Sequence, residues 1–130
     1  MIVDSSALIA ILSNEPDAAQ FARAIQDASI RRLSAASFLE TAIVIESRHG
    51  PAGGQKLDQL ISTAKLIIEP VTTEQARLAR LAFRNFGKGR HEAGLNFGDC
   101  FSYALAQATG EPLLFKGDDF SKTDITSAIT

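Results

Sequence analysis

The sequence predicts an α/β fold with a central, mostly parallel sheet of four or five strands flanked by helices on both faces. Short β-prone runs alternate with amphipathic segments of about ten residues or more, the pattern of crossover units joining parallel strands. The chain has 130 residues, 45% hydrophobic and 22% charged, enough to bury a core but too short for two ordinary domains. No repeat, low-complexity tract or linker divides it. A single domain over residues 1–130 is therefore expected.

Met1-Ile2-Val3 is an apolar, β-prone run that stops at Asp4, and Ser5 and Ser6 offer caps for a helix entering Ala7 to Leu12. Asn14-Glu15-Pro16-Asp17 reads as a second helix start, with Phe21, Ala24, Ile25 and Ala28 giving residues 16 to 28 an apolar face. Ile30 to Ala35 reads as a strand. Ser37-Phe38-Leu39-Glu40 then opens a helix ending near His49, with Gly50 and Pro51 as its stop. Gly53-Gly54 precedes an amphipathic segment carrying Leu57, Leu60, Ile61 and Ala64, and Leu66 to Val71 is a third strand. Thr72 with Gln75 caps a helix that runs to Gly87. A polar loop from Lys88 to Gly98 delivers the chain to Asp99, where a helix runs to Thr109 with Gly110 behind it. Pro112 to Phe115 is the last strand.

Ligands of open α/β sheets bind at the carboxyl ends of the strands, and acids recur there. Asp4 ends strand one, Glu40 lies in the first turn of the helix after strand two, Asp99 begins the helix after the long loop, and Asp118-Asp119 follow the last strand. Singly, each has a structural explanation: Asp99 as an N-cap, Glu40 as the partner of Ser37 in a capping box. Asp4 is different, because an ionised carboxylate at the end of a buried strand is rarely kept without a partner. Two carboxylates about 4 Å apart repel by roughly 4 kcal/mol at an effective dielectric near 20. A converging cluster therefore either protonates or takes a hard divalent cation, and all-oxygen ligation points to Mg²⁺ or Mn²⁺. Zinc is disfavoured, since His49, His91 and Cys100 have no metal-ligand spacing, and Cys100 reads as a small core residue.

The net charge of −2 predicts no polyanionic partner by itself, but metal neutralisation of four clustered acids would leave a positive remainder. No apolar run approaches the roughly 20 residues of a membrane span, and no basic region precedes the first apolar stretch. With the lone cysteine, this predicts a cytoplasmic protein without membrane association.

Four segments, Met1 to Leu8 (MIVDSSAL), Ser37 to Ala42 (SFLETA), Asn96 to Cys100 (NFGDC) and Leu113 to Phe120 (LLFKGDDF), together resemble the PIN-domain ribonucleases, specifically the VapC toxins of bacterial toxin–antitoxin pairs. The likeness spans nearly the whole chain. It implies an acidic triad of Asp4, Glu40 and Asp99, with Asp4 and Asp99 as direct Mg²⁺ ligands and Mn²⁺ a plausible substitute. Ser6 would orient a carboxylate or water. Family members often carry Thr-x-Asp or Thr-x-Asn after the last strand, whereas this chain has Phe115-Lys116-Gly117; Asp118 is the expected fourth acid, with Asp119 fixing the turn.

The implied reaction is metal-dependent hydrolysis of RNA phosphodiester bonds, with Glu40 completing the metal shell through water or acting as general base. RNA would be held by Lys88, Arg90 and His91, joined by Arg84 and Lys116. Phe97 and Phe120 could stack on bases, although core packing is the stronger reading of both. The resemblance also implies a VapB-type antitoxin that places a basic side chain near the acids, and a homodimer. Two other readings compete. A phosphorylatable receiver domain would use Asp4 and Lys116, but strand three ends in Glu69-Pro70-Val71 without a phospho-acceptor aspartate. A catalytically silent binding domain would leave any RNA cleavage unchanged by Asp4→Asn or Asp99→Asn.

Overall fold

The structure, a computed structural model, describes residues 1–129; Thr130, the last residue of the expected domain, lies outside the described residues. Four short strands, β1 (Ile2–Val3), β2 (Arg32–Ser34), β3 (Ile67–Glu69) and β4 (Leu113–Leu114), form one sheet in the order β3-β2-β1-β4. Every pairing is parallel, with Ile2 opposite Arg32 and Leu113, and Arg32 opposite Ile67. The C-terminal segment adds a parallel bridge between Leu113 and Ser127, held by Leu113 N–H to the Thr126 carbonyl (2.9 Å) and Ala128 N–H to the Leu113 carbonyl (2.8 Å). It takes the place of a fifth strand.

Alternation along β1 sends Ile2 and Val3 to opposite faces, and two cores result. Ile2 and Leu113 pack with Ala79, Ala82, Tyr103 and Leu105 from α5 (Thr73–Phe86) and α6 (Phe97–Thr109). Val3, Leu33 and Leu114 pack with Leu8, Phe21 and Leu57 from α1 (Ser5–Leu12), α2 (Ala18–Asp27) and α4 (Pro51–Ala64). α3 (Ala35–His49) follows β2 directly and sets Phe38 and Ala42 against the second core. Among the described residues no helix is long and apolar enough to cross a membrane.

Several boundaries differ from expectation. The Ser34 hydroxyl accepts from Ala36 N–H (3.3 Å), so α3 begins at Ala35 and Glu40 lies in its second turn, outside any capping box with Ser37. Asn96, not Asp99, caps α6; Asp99 is the reciprocal N3 member of that capping box. Gly53 and Gly54 lie inside α4, which Pro51 opens at the first position. A Cβ at Gly53 would stand 2.7 Å from Ile45 Cγ2, so close packing of α3 on α4 requires glycine there. The strands are shorter than the apolar runs that signalled them, and α2 starts at Ala18, after Pro16.

Candidate active site

Parallel topology brings the carboxyl ends of β1, β2 and β4 to one edge, and the loops leaving them supply the acids. Asp4 leaves β1 and is 2% exposed. Its Oδ2 accepts from Ser6 N–H (3.0 Å) and Ser6 Oγ (2.6 Å), and its Oδ1 accepts from Ser102 Oγ (2.5 Å). The same carboxylate that caps α1 is thus tied to α6. Ser102 stands 3.1 Å from Ser37 Oγ, and both serines are buried.

Glu40 reaches the edge from α3, where its Oε1 accepts from Ser5 Oγ (2.6 Å). Its other oxygen lies against the backbone of Gly98, at which an added Cβ would come within 2.1 Å of Glu40 Oε2. Any side chain at 98 would displace the carboxylate.

Asp99 sits one residue further on. Its Oδ2 accepts from Asn96 N–H (3.0 Å), and its own N–H donates to Asn96 Oδ1 (2.9 Å). Burial pushes the Asp99 carboxyl up to about 7, against the lowering effect of the Asn96 backbone N–H, and the charges of Asp4, Asp119 and Glu40 push the same way as burial. Four acids from four segments therefore share one electrostatic neighbourhood.

Of the two acids on the last loop, both exposed, Asp119 is the one whose charge adds to the upward push on Asp99. Asp118 is exposed, and its carbonyl accepts from Ser121 Oγ (2.6 Å). The Lys116 ammonium is paired with Glu15 and with Asp17 (3.2 Å). Its backbone N–H donates to Ser6 Oγ (2.9 Å), the hydroxyl that in turn donates to Asp4. Ser6 thus couples the β4 loop to Asp4.

Lys88 and Arg90 are exposed on the loop after α5, with the Arg90 guanidinium 5.7 Å from the centre of the Phe83 ring. His91 accepts from Ala93 N–H through Nδ1 (3.0 Å) and meets Phe86 edge-on. Phe120 is buried, as expected, but Phe97 is 79% exposed, contrary to its reading as a core residue. Cys100 is buried; burial, reinforced by the Asp99 charge, pushes its thiol up to about 11, which makes it a poor nucleophile.

Sequence reasoning missed Ser5, Ser102 and Asn96. Ser5 had a signal in its place beside Ser6, and Asn96 in its spacing to Asp99. Ser102 had only its place three residues beyond Asp99.

The donor set is entirely carboxylate and hydroxyl oxygen, which fits a hard divalent cation. Among the described residues no three Asp, Glu, His or Cys side chains close into a ready-made ligand cluster.

A parallel sheet of this order with acids at its carboxyl edge agrees with the comparison against family models: the PIN domain matches residues 1–125. A ribonuclease VapC of Mycolicibacterium smegmatis is 55% identical over 127 residues, covering 98% of both chains. VapC28 of Mycobacterium tuberculosis is 56% identical over 130 residues, covering 99% of this chain and 98% of its own. The chain belongs to the PIN-domain family and, within it, to the VapC ribonucleases. Among solved structures, Mycobacterium tuberculosis VapC20, a sarcin-ricin loop cleaving toxin, superposes with a TM-score of 0.79 at 17% identity over 96% of this chain and 95% of its own. A chain of a toxin–antitoxin complex from Klebsiella pneumoniae superposes at 0.72 and 18% identity, covering 95% of this chain and 92% of its own. At these identities the superpositions speak for the fold alone.

Proposed function

We propose that this protein is the endoribonuclease toxin of a toxin–antitoxin pair, hydrolysing RNA with Mg²⁺, for which Mn²⁺ substitutes, and arresting growth or translation when released from its antitoxin. The observation that carries this is the gathering of acids at the carboxyl edge of the sheet, with buried Asp4 held by Ser6 and Ser102, and Glu40 held by Ser5 against the Gly98 backbone beside Asp99. Such a concentration of acid is relieved by a divalent cation. Relatives named as VapC ribonucleases support the same reading.

Asp4 and Asp99 are assigned as the direct ligands. The cation they would hold would supply acidification of a water and neutralisation of charge on the phosphate. Ser6 and Ser102 hold both oxygens of Asp4 in fixed directions, so the ligand is oriented before substrate arrives. Ser5 occupies Glu40 Oε1, which leaves Oε2 to take the proton of the attacking water. The fourth acid is assigned to Asp119. Lys88 and Arg90 are assigned to RNA phosphates, and Lys116 to positioning Ser6.

The test is cleavage of single-stranded RNA by purified protein with Mg²⁺ and with chelator. Asp4→Asn and Asp99→Asn are each expected to lower the rate by about a hundredfold or more. Cleavage that survives both variants or the chelator overturns the reading. The same reading places the protein in the cytoplasm as a homodimer bound to a VapB-type antitoxin; recovery from its host as a lone monomer would contradict that assembly.

A further inference from the structure

Two buried hydroxyls meet between α3 and α6. Ser37 and Ser102 are each 1% exposed, their oxygens lie 3.1 Å apart, and Ser102 Oγ is 2.5 Å from Asp4 Oδ1. A serine hydroxyl carries one proton. Ser102 gives its proton to the Asp4 carboxylate, so the bond between the two serines forms only with Ser37 as donor. The chain from Ser37 through Ser102 to Asp4 therefore runs in one direction, and it joins α3 to the end of β1 by way of α6.

Serine and threonine hydroxyls inside helices commonly turn back to the carbonyl four residues earlier. Thr41 of α3 does so onto Ser37 (2.7 Å), and Thr109 of α6 onto Leu105 (2.8 Å). Ser102 has the same option in the Gly98 carbonyl, yet its proton goes to Asp4. Donation from Ser37 favours that choice, because a hydroxyl that accepts one hydrogen bond is polarised to donate the next. With Ser37 silent, Ser102 is free to turn to its own helix and leave the buried Asp4 Oδ1 without a donor. One turn beyond Ser37, Glu40 lies against the Gly98 backbone, so the two serines also pin α3 to α6 beside that contact.

Resting on the assignment of Asp4 as a metal ligand, we infer that Ser37 is a positioning residue of the metal site: by donating to Ser102 it commits the Ser102 proton to Asp4 Oδ1 and keeps that carboxylate oriented for the cation.

The experiment is calorimetric titration of Mn²⁺ into the full chain, without RNA, for the unaltered protein, Ser37→Ala, Ser102→Ala and the double variant. Ser37→Ala is expected to weaken Mn²⁺ binding about three- to tenfold, less than Ser102→Ala because it acts one bond further away. The double variant should bind as Ser102→Ala does, since Ser37 then has nothing to act through. Ser37→Thr, which keeps the donor, should stay within about twofold of the unaltered protein, and Ser37→Val, of matching size without the proton, should bind as Ser37→Ala does. This last pair carries the comparison if Ser37→Ala does not fold. Thr41→Val removes a neighbouring buried hydroxyl outside the chain and should leave Mn²⁺ affinity unchanged. Unchanged affinity in Ser37→Ala overturns the role of Ser37. So does the same fold-loss from Ser37→Ala with and without Ser102, or an equal loss in Thr41→Val, either of which assigns the effect to packing. Metal-dependent cleavage by the unaltered protein in those cases leaves the ribonuclease reading standing. Absence of Mn²⁺ binding by the unaltered protein overturns the metal assignment and the role of Ser37 together.

Discussion

Asp99 carries opposing demands, since its carboxylate accepts from Asn96 N–H while burial and three neighbouring acids disfavour its charge. Its raised value means that folding favours the protonated form. In metal-free protein the stabilising contribution is complete below the ordinary range near 3.8 and is lost as pH rises through about 7. Asp99→Asn keeps an acceptor for Asn96 and removes the charge. It is expected to raise metal-free stability at pH 8 by on the order of 1 kcal/mol, the full shift being discounted for partial solvent access, with the gain vanishing near pH 4. Urea denaturation at the two pH values checks this.

Ser102→Ala deprives buried Asp4 Oδ1 of its donor, and the expected result is a ten- to hundredfold weaker Mn²⁺ affinity by calorimetric titration, about the usual effect of losing such a support. Gly98→Ala drives a methyl group into Glu40 Oε2. Cleavage should fall sharply while far-ultraviolet circular dichroism stays unchanged.

Among the elements, α5 shows what a sequence states outright: Thr72 accepts from Gln75 N–H at 3.1 Å, as the spacing required. Thr72→Ala is expected to cost about 1 kcal/mol, read as a lowered thermal midpoint. The caps of α3 and α6 were less legible. Starting them from Ser37 and Asp99 sets each helix late, because Ser34 and Asn96, each three residues earlier, are the caps, and the direction from which the preceding chain enters decides this. Gly53-Gly54 suggested a break because glycine is a poor helix former, yet contact with Ile45 overrides that preference. Asp4, Glu40 and Asp99 were legible because parallel crossovers deliver strand ends to one edge whatever the exact boundaries. Phe97 and Ser102 were not, since which side of α6 faces solvent and which faces Asp4 depends on how the helix docks. Which of Asp118 and Asp119 faces the other acids is set by the turn after β4, which two adjacent aspartates do not specify.

Across the whole molecule, Glu111 ties the sheet's opposite edge together by pairing with the Met1 amino group (2.5 Å) and with Arg32 (2.8 Å). Burial alone would raise its carboxyl, but those two partners hold it below the ordinary 4.5. A lowered folded value gives stability that is present above the ordinary range and lost as pH falls through it. Glu111→Gln is expected to lower stability at pH 7 by less than about 1 kcal/mol, because the pair is partly solvated, with no difference near pH 3. Thermal melts at both pH values measure it.

The sheet order sets β1 between β2 and β4, and β4 forms from residues 113–114. During translation, β1 therefore waits for β4 before it gains its second neighbouring strand. A chain halted before Leu113 lacks both the neighbouring strand and Asp119.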